Sequence, residues 1–307
     1  MMKHSLIYTA IITVIVGLTG CGGSDSDDTS QNTEQGSNNT NNGSNLELTE
    51  AQRQKILDVS KETTSISLKE ALLLGVVDTL VYGTDEADAD EKCSSGSYTK
   101  AGDMITFNNC KGLFKAATGL NQYQDLTVNG QVIVKENSFE YQNLILLDSN
   151  SGESKTVTGT LKFSSGSTEE VITDSLKIKA TEKNGTAFAD VNYTLENYKL
   201  NYDKKSGSEL SLSTSGTLKA TNSSVGDYKI NFETAQPLFV QIDAKNDDAI
   251  VSYPYAGVLK ITDLADSATT TLTANNDKKT ALLSVMAGQK ELVNGTQNWA
   301  DILGYSK

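Results

Sequence analysis

Beyond residue 98, apolar side chains recur at every second position, the period of a strand with one buried and one wet face. Leu176, Ile178 and Ala180 alternate with Lys177, Lys179 and Thr181, and Tyr228, Ile230 and Phe232 alternate with Lys229, Asn231 and Glu233. Val251, Tyr253, Tyr255, Gly257, Leu259 and Ile261 hold one parity, with Pro254 and Lys260 on the other. Pro254 calls for an edge or a bulge there, because it has no N–H to give to a ladder. Tyr193 and Leu195 hand over to the opposite parity at Tyr198, Leu200 and Tyr202, which places a bulge or tight turn at Glu196–Asn197. Asn129–Gly130, Ser151–Gly152, Asn184–Gly185 and Ser206–Gly207 read as turns between the runs. A Gly-led strand start recurs at Gly130, Gly159, Gly185, Gly216 and Gly257, at intervals near the length of one hairpin. One-sided strands are antiparallel strands, and about a dozen of them cannot stay one flat sheet. The expected fold is mainly β: an antiparallel meander of hairpins closing as a curved sheet, barrel or sandwich, with a small N-terminal helical segment.

Helical spacing is confined to residues 46–83. Thr49–Glu50–Ala51–Gln52 reads as a capping box opening one helix, with Leu48 before the cap. Ser67–Leu68–Lys69–Glu70 repeats the signal, with Ile66 and Ala71 as a hydrophobic staple. Leu68, Leu72, Val76, Thr79 and Leu80 then follow helical spacing, and Gly83 suits the terminating position. Ala71 to Val77 is nearly apolar all round, which predicts a buried helix. A membrane-surface helix would carry a rich Lys/Arg flank instead. Asp85, Glu86, Asp88, Asp90 and Glu91 follow as a solvated acidic loop with no complete cation shell. At the other end, Asn298 to Gly304 reads as a short helix docking Trp299. Residues 84–307 are thus the β domain with its short C-terminal tail, and 46–307 form one domain.

The start of the chain reads as an address. Leu6 to Leu18 is a mostly apolar run behind Lys3. It falls short of the about 20 residues that a spanning helix needs, and fits a secretory signal. Leu18–Thr19–Gly20–Cys21 resembles the lipobox of bacterial lipoprotein precursors. That resemblance implies a signal peptide at 1–20, acylation of Cys21, and a membrane partner reached through the acyl chains, two or more of which anchor stably. Gly22 and Gly23 occupy the places where an Asp commonly retains such proteins in the inner membrane, so the resemblance implies the outer membrane. Residues 21–45 are then the lipidated Cys and a flexible linker of Gly, Ser, Asn, Asp, Thr, Gln and Glu. Its ~24 linker residues span roughly 25–30 Å. Asp25, Asp27 and Asp28 lack the spacing of a calcium loop.

Composition narrows the chemistry. Acidic residues number 39 against 26 basic ones, for a formal charge of −13, which argues against nucleic acid. The one histidine, His4, would leave with the signal. Triads, His-ligated zinc and imidazole switches leave with it. Arg53 is the single arginine, so bidentate anion recognition is nearly excluded. Glu169–Glu170 and Asp247–Asp248 are paired carboxylates in expected turns, where neighbours of like charge are solvated. Cys93 and Cys110, in an exported chain, read as a disulfide, whose loop closure contributes about 3 kcal/mol.

Cys93, a Ser/Gly turn, a strand ending Thr106–Phe107–Asn108–Asn109–Cys110, and the following Asn–Gly and hairpins resemble exported Gram-negative lipoproteins with no assigned activity. The resemblance covers residues 93 to about 161 and brings no catalytic residue and no cofactor. The functional expectation is a lipid-anchored, non-enzymatic binding or structural module with a protein, glycan or lipid partner. The alternative is a carrier holding an amphiphile between the helix near 68–82 and an apolar cleft lined by residues such as Leu176, Ile178, Leu259 and Ile261.

Overall fold

The computed structural model describes residues 48–67, 75–119, 122–164, 169–243, 245 and 249–303. Fourteen strands alternate along the chain as the period of two requires: β1 (Ser95–Ala101), β2 (Met104–Gly119), β3 (Gln122–Lys135), β4 (Ser138–Leu147), β5 (Ser154–Ser164), β6 (Glu169–Asn184), β7 (Ala187–Ser206), β8 (Glu209–Thr221), β9 (Tyr228–Asp243), β10 (Ala249–Ile250), β11 (Ala256–Asp263), β12 (Ala268–Ala274), β13 (Thr280–Ala287) and β14 (Lys290–Asn298). They pair in chain order as one antiparallel meander, with the short β10 branching from β9. The sheet stays open, with β1 and β14 as its edges. Of the three expected closures, the curved sheet is the one observed.

The inward residues form one continuous core. Leu176, Leu259, Val157 and Ile230 are fully buried, and Tyr141, Tyr198 and Phe232 nearly so. The outward side carries Lys–acid pairs such as Lys179–Asp190 at 2.7 Å and Lys162–Asp174 at 2.6 Å. Exposed pairs of this kind keep the surface wet and contribute little stability.

Helix α1 (Glu50–Ile66) opens with the capping box expected of it: the Gln52 N–H donates to Thr49 Oγ1 at 3.3 Å, and the Thr49 N–H donates to Gln52 Oε1 at 2.9 Å. Its Ile56 packs on Ala268, Val285 and Leu292 of β12–β14. Helix α3 (Trp299–Ile302) docks the only Trp, whose Nε1–H donates to the Pro254 carbonyl at 3.0 Å.

Helix α2 (Val76–Asp88) occupies the N-terminal half of the curl. Thr79 donates to the Lys115 carbonyl on β2 at 3.1 Å, while the preceding Asp78 accepts from Tyr202 on β7 at 2.5 Å. On a flat sheet, β2 and β7 would stand roughly 24 Å apart. Two consecutive residues of one helix reach both, so the sheet must bend around α2.

The bend has a local cause. Asn109 in β2, Gly130 in β3, Asn143 in β4, Gly159 in β5, Asn197 in β7, Gly216 in β8 and Gly257 in β11 all sit at or beside breaks in strand register. Together they form a row of bulges crossing the sheet, and bulges add bend and twist to a strand. Gly130, at φ +110, shows the constraint: a Cβ there would stand 2.5 Å from the Asn143 carbonyl oxygen.

This row corrects two readings. Asn129–Gly130 is a bulge inside β3 and not a turn. Of the recurring glycines, Gly130, Gly159 and Gly216 mark mid-strand bends, Gly185 turns β6 into β7, and Gly257 stands at the start of β11. The parity switch at Glu196–Asn197 is the expected bulge, with Asn197 at φ +50. Residues 251–255 do not extend the strand parity, since strand pairing resumes only at Ala256.

The helical boundary also moves. Gly83 does not end a helix; α2 runs through it to Asp88, so Asp85, Glu86 and Asp88 belong to the helix and not to a loop. The glycine is required by packing, because a Cβ on Gly83 would lie 2.4 Å from two carbons of the Phe114 ring. Most of the second capping signal, Leu68 to Glu70, lies outside the described residues.

Candidate functional site

Cys21 lies outside the described residues, as do Asp25, Asp27, Asp28, Asp247 and Asp248. Cys93 and Cys110 are joined as a disulfide, tying the segment that leaves α2 to β2. Glu169 and Glu170 begin β6 and do not sit in a turn; Glu170 pairs with Lys199 of β7. They are not placed as a facing acid and base. Trp299 is fully buried and serves packing.

A cluster of buried polar groups lies under α2; the sequence reading passed over Asp78 and placed Asp85 in a solvated loop. Val76 to Val81 are all buried, and Asp78 sits among them. One of its oxygens accepts from Tyr202, and Oδ2 has no hydrogen-bond partner. Burial pushes the Asp78 carboxyl up to about 7, although the Tyr202 hydrogen bond pulls the other way. Two turns later, Asp85 is pushed up to about 8, first by burial and then by the charges of Asp88, Glu86 and Glu169. Around them, burial raises Tyr141, Tyr198 and Tyr202 above the usual phenol range, and Tyr141 faces Thr84. A buried carboxyl without a cation keeps its proton, because charging it in a dry site costs more than deprotonation returns. A signal for this was present in the sequence: Asp78 interrupts the apolar run Val76–Val77–Asp78–Thr79–Leu80–Val81.

A cleft of about 60 Å³ opens near the N-terminal end of α2, lined by Val76, Thr79, Leu126, Leu146, Lys155 and Glu182 among others. Ligand pockets for small molecules run to several hundred Å³. At its rim, Asp148 accepts from Ser151 and the Asn150 N–H, Glu153 accepts from the Lys183 N–H, and Glu182 accepts from Tyr193. These carboxylates hold turns and strand ends together. Leu176, Ile178, Leu259 and Ile261, expected to line an apolar cleft in a carrier, are between 0% and 4% exposed and belong to the core.

Among the described residues, no group of three or more His, Cys, Asp or Glu is placed to hold a metal ion, and no helix is long and apolar enough to cross a membrane. No family model, curated protein or solved structure matches the chain.

Proposed function

We propose that this protein is a lipid-anchored lipoprotein of the outer membrane whose curled β domain acts as a non-enzymatic binding or structural module. Leu18–Thr19–Gly20–Cys21 supplies the anchor, and the polar stretch after Cys21 supplies the tether. The observation that carries the module reading is the filled interior: large side chains such as Leu144, Leu161, Leu176 and Tyr198 occupy the apolar side of the sheet together with α2. A partner, whether protein, glycan or lipid, would then meet the outer face, the loops or the sheet edges. The side chains that would line an amphiphile cleft are engaged with each other, so the carrier alternative draws no support from the packing.

Two measurements test this. In cells given a fatty-acid probe, the wild-type protein takes up label and fractionates with the outer membrane, whereas Cys21→Ala does neither; labelling of the variant would overturn the anchor. Mass spectrometry of purified protein should find no stoichiometric lipid beyond the covalent chains. A co-purifying lipid at one equivalent would replace the module reading with the carrier.

A further inference from the structure

Helix α2 turns two acids toward the sheet. Asp78 and Asp85 stand two helical turns apart, so their carboxyls fall on the same stripe of the helix. The groups facing them can be named element by element. From β7 come the Tyr198 and Tyr202 hydroxyls, and from β4 Tyr141. From β6 comes Glu169, and from α2 itself Glu86 and Asp88. β2 offers Phe114 and the Lys115 carbonyl. Lys155 and Glu182 lie beside Val76 and Thr79 at the cleft end of the helix, outside the set acting on either carboxyl. Every group in that set is neutral or acidic. Asp78 Oδ2 and Asp85 Oδ2 are buried without a hydrogen-bond partner. The seat therefore accepts these side chains as acids and resists them as carboxylates.

The helix stands outside the strand ladders. Each interior strand is laced to two neighbours by ladder hydrogen bonds, whereas α2 meets the sheet through its buried apolar side chains and through side-chain bonds, among them Thr79 to the Lys115 carbonyl on β2, Tyr202 of β7 to Asp78, and Lys100 to the Asp88 carbonyl at 2.7 Å. Its N-cap is Gly75, with no side-chain cap. Because no strand pairs with it, α2 can leave without breaking the ladders of the sheet, as a local opening separate from global unfolding. The Cys93–Cys110 bond just beyond its C-terminus would keep it tethered.

We propose that α2 is a proton-latched plug: with Asp78 and Asp85 protonated it stays seated in the curled sheet, and loss of those protons favours a state in which α2 has lifted while the strands stay paired. Lifting would uncover Phe114, Tyr141 and Tyr198. The sign follows from proton linkage. The lifted state binds these protons more weakly, so opening is least favoured at low pH and rises about tenfold per pH unit for each carboxyl, levelling off above the seated value. For Asp78, between its ordinary 3.8 and about 7, opening rises about a thousandfold.

Hydrogen exchange of the full-length protein, corrected for intrinsic rates, measures this directly. Amides of residues 79–87 should be less protected than those of residues 176–180 in β6. Their opening constant should climb at least a thousandfold between pH 4 and 7 and flatten in Asp78→Asn/Asp85→Asn. Equal protection of the helix and β6 at every pH would overturn the proposal, as would a wild-type helix opening that ignores pH. The wild-type profile decides even where the double variant does not fold.

Discussion

Replacing Gly83 by Ala sets two opposed effects against each other, and the structure predicts which wins. In an exposed helix the change would stabilise by about 1 kcal/mol, because Gly is the poorer helix former. In α2 the new methyl would stand 2.4, 2.4 and 2.7 Å from three ring carbons of Phe114. The ring would have to retreat by about 1 Å to reach ordinary contact. It has little room to do so: Phe114 is fully buried and packs edge-on against Phe107 at 5.2 Å. Overpacking in a dense core costs about 1–3 kcal/mol. Gly83→Ala should therefore destabilise by up to about 2 kcal/mol net of the propensity gain. Urea unfolding followed by far-UV circular dichroism and the fluorescence of Trp299 gives the number. Phe114→Leu provides the control: it removes the ring, so in that background Gly83→Ala should turn neutral or stabilising, and the cycle should show coupling above 1 kcal/mol. If Gly83→Ala raises stability by about 1 kcal/mol in the wild-type background, α2 does not lie on β2 as described.

Other expectations follow from the same packing. The raised Asp78 makes global stability greatest below its ordinary 3.8 and lowers it as pH rises to about 7, by up to about 4 kcal/mol; Asp78→Asn should weaken that slope in urea titrations at pH 4 and 8, and an unchanged slope would refute it. Gly130→Ala should cost over about 1 kcal/mol, because it meets both a positive φ of +110 and the Asn143 carbonyl; Gly226→Ala, which has nothing within 4 Å at φ +93, separates the backbone cost from the clash. Reducing Cys93–Cys110 should lower stability by about 3 kcal/mol; a Cys93→Ser/Cys110→Ser protein with an unchanged urea midpoint would contradict this. Trp299→Phe gives up both the bond to Pro254 and part of a fully buried indole, and should cost about 2–3 kcal/mol in urea unfolding followed by far-UV circular dichroism alone.

Strand existence was legible because alternation is local: the Leu176–Ile178–Ala180 face needs no knowledge of its partner to be recognised. The capping box at Thr49 and the bulge at Asn197 were legible for the same reason, since each is written within a few residues. Gly83 and Gly130 were not. Each looked like a punctuation mark, and each is a glycine because something distant in sequence approaches it: the Phe114 ring in one case and the Asn143 carbonyl in the other. Asp85 looked solvated among its acidic neighbours, yet a curl that brings Glu169 near it encloses its carboxyl.

The order of strands, their antiparallel pairing and the one-sided burial follow from the sequence alone, because hairpins join neighbours and the period of two assigns the faces. Only the tertiary structure decided that the bulges align into one row, that the sheet curls without closing, and that α2 fills the trough with two acids turned inward. Those outcomes depend on which residues meet across the sheet, and a carboxyl learns whether it is dry only when the chain has wrapped around it.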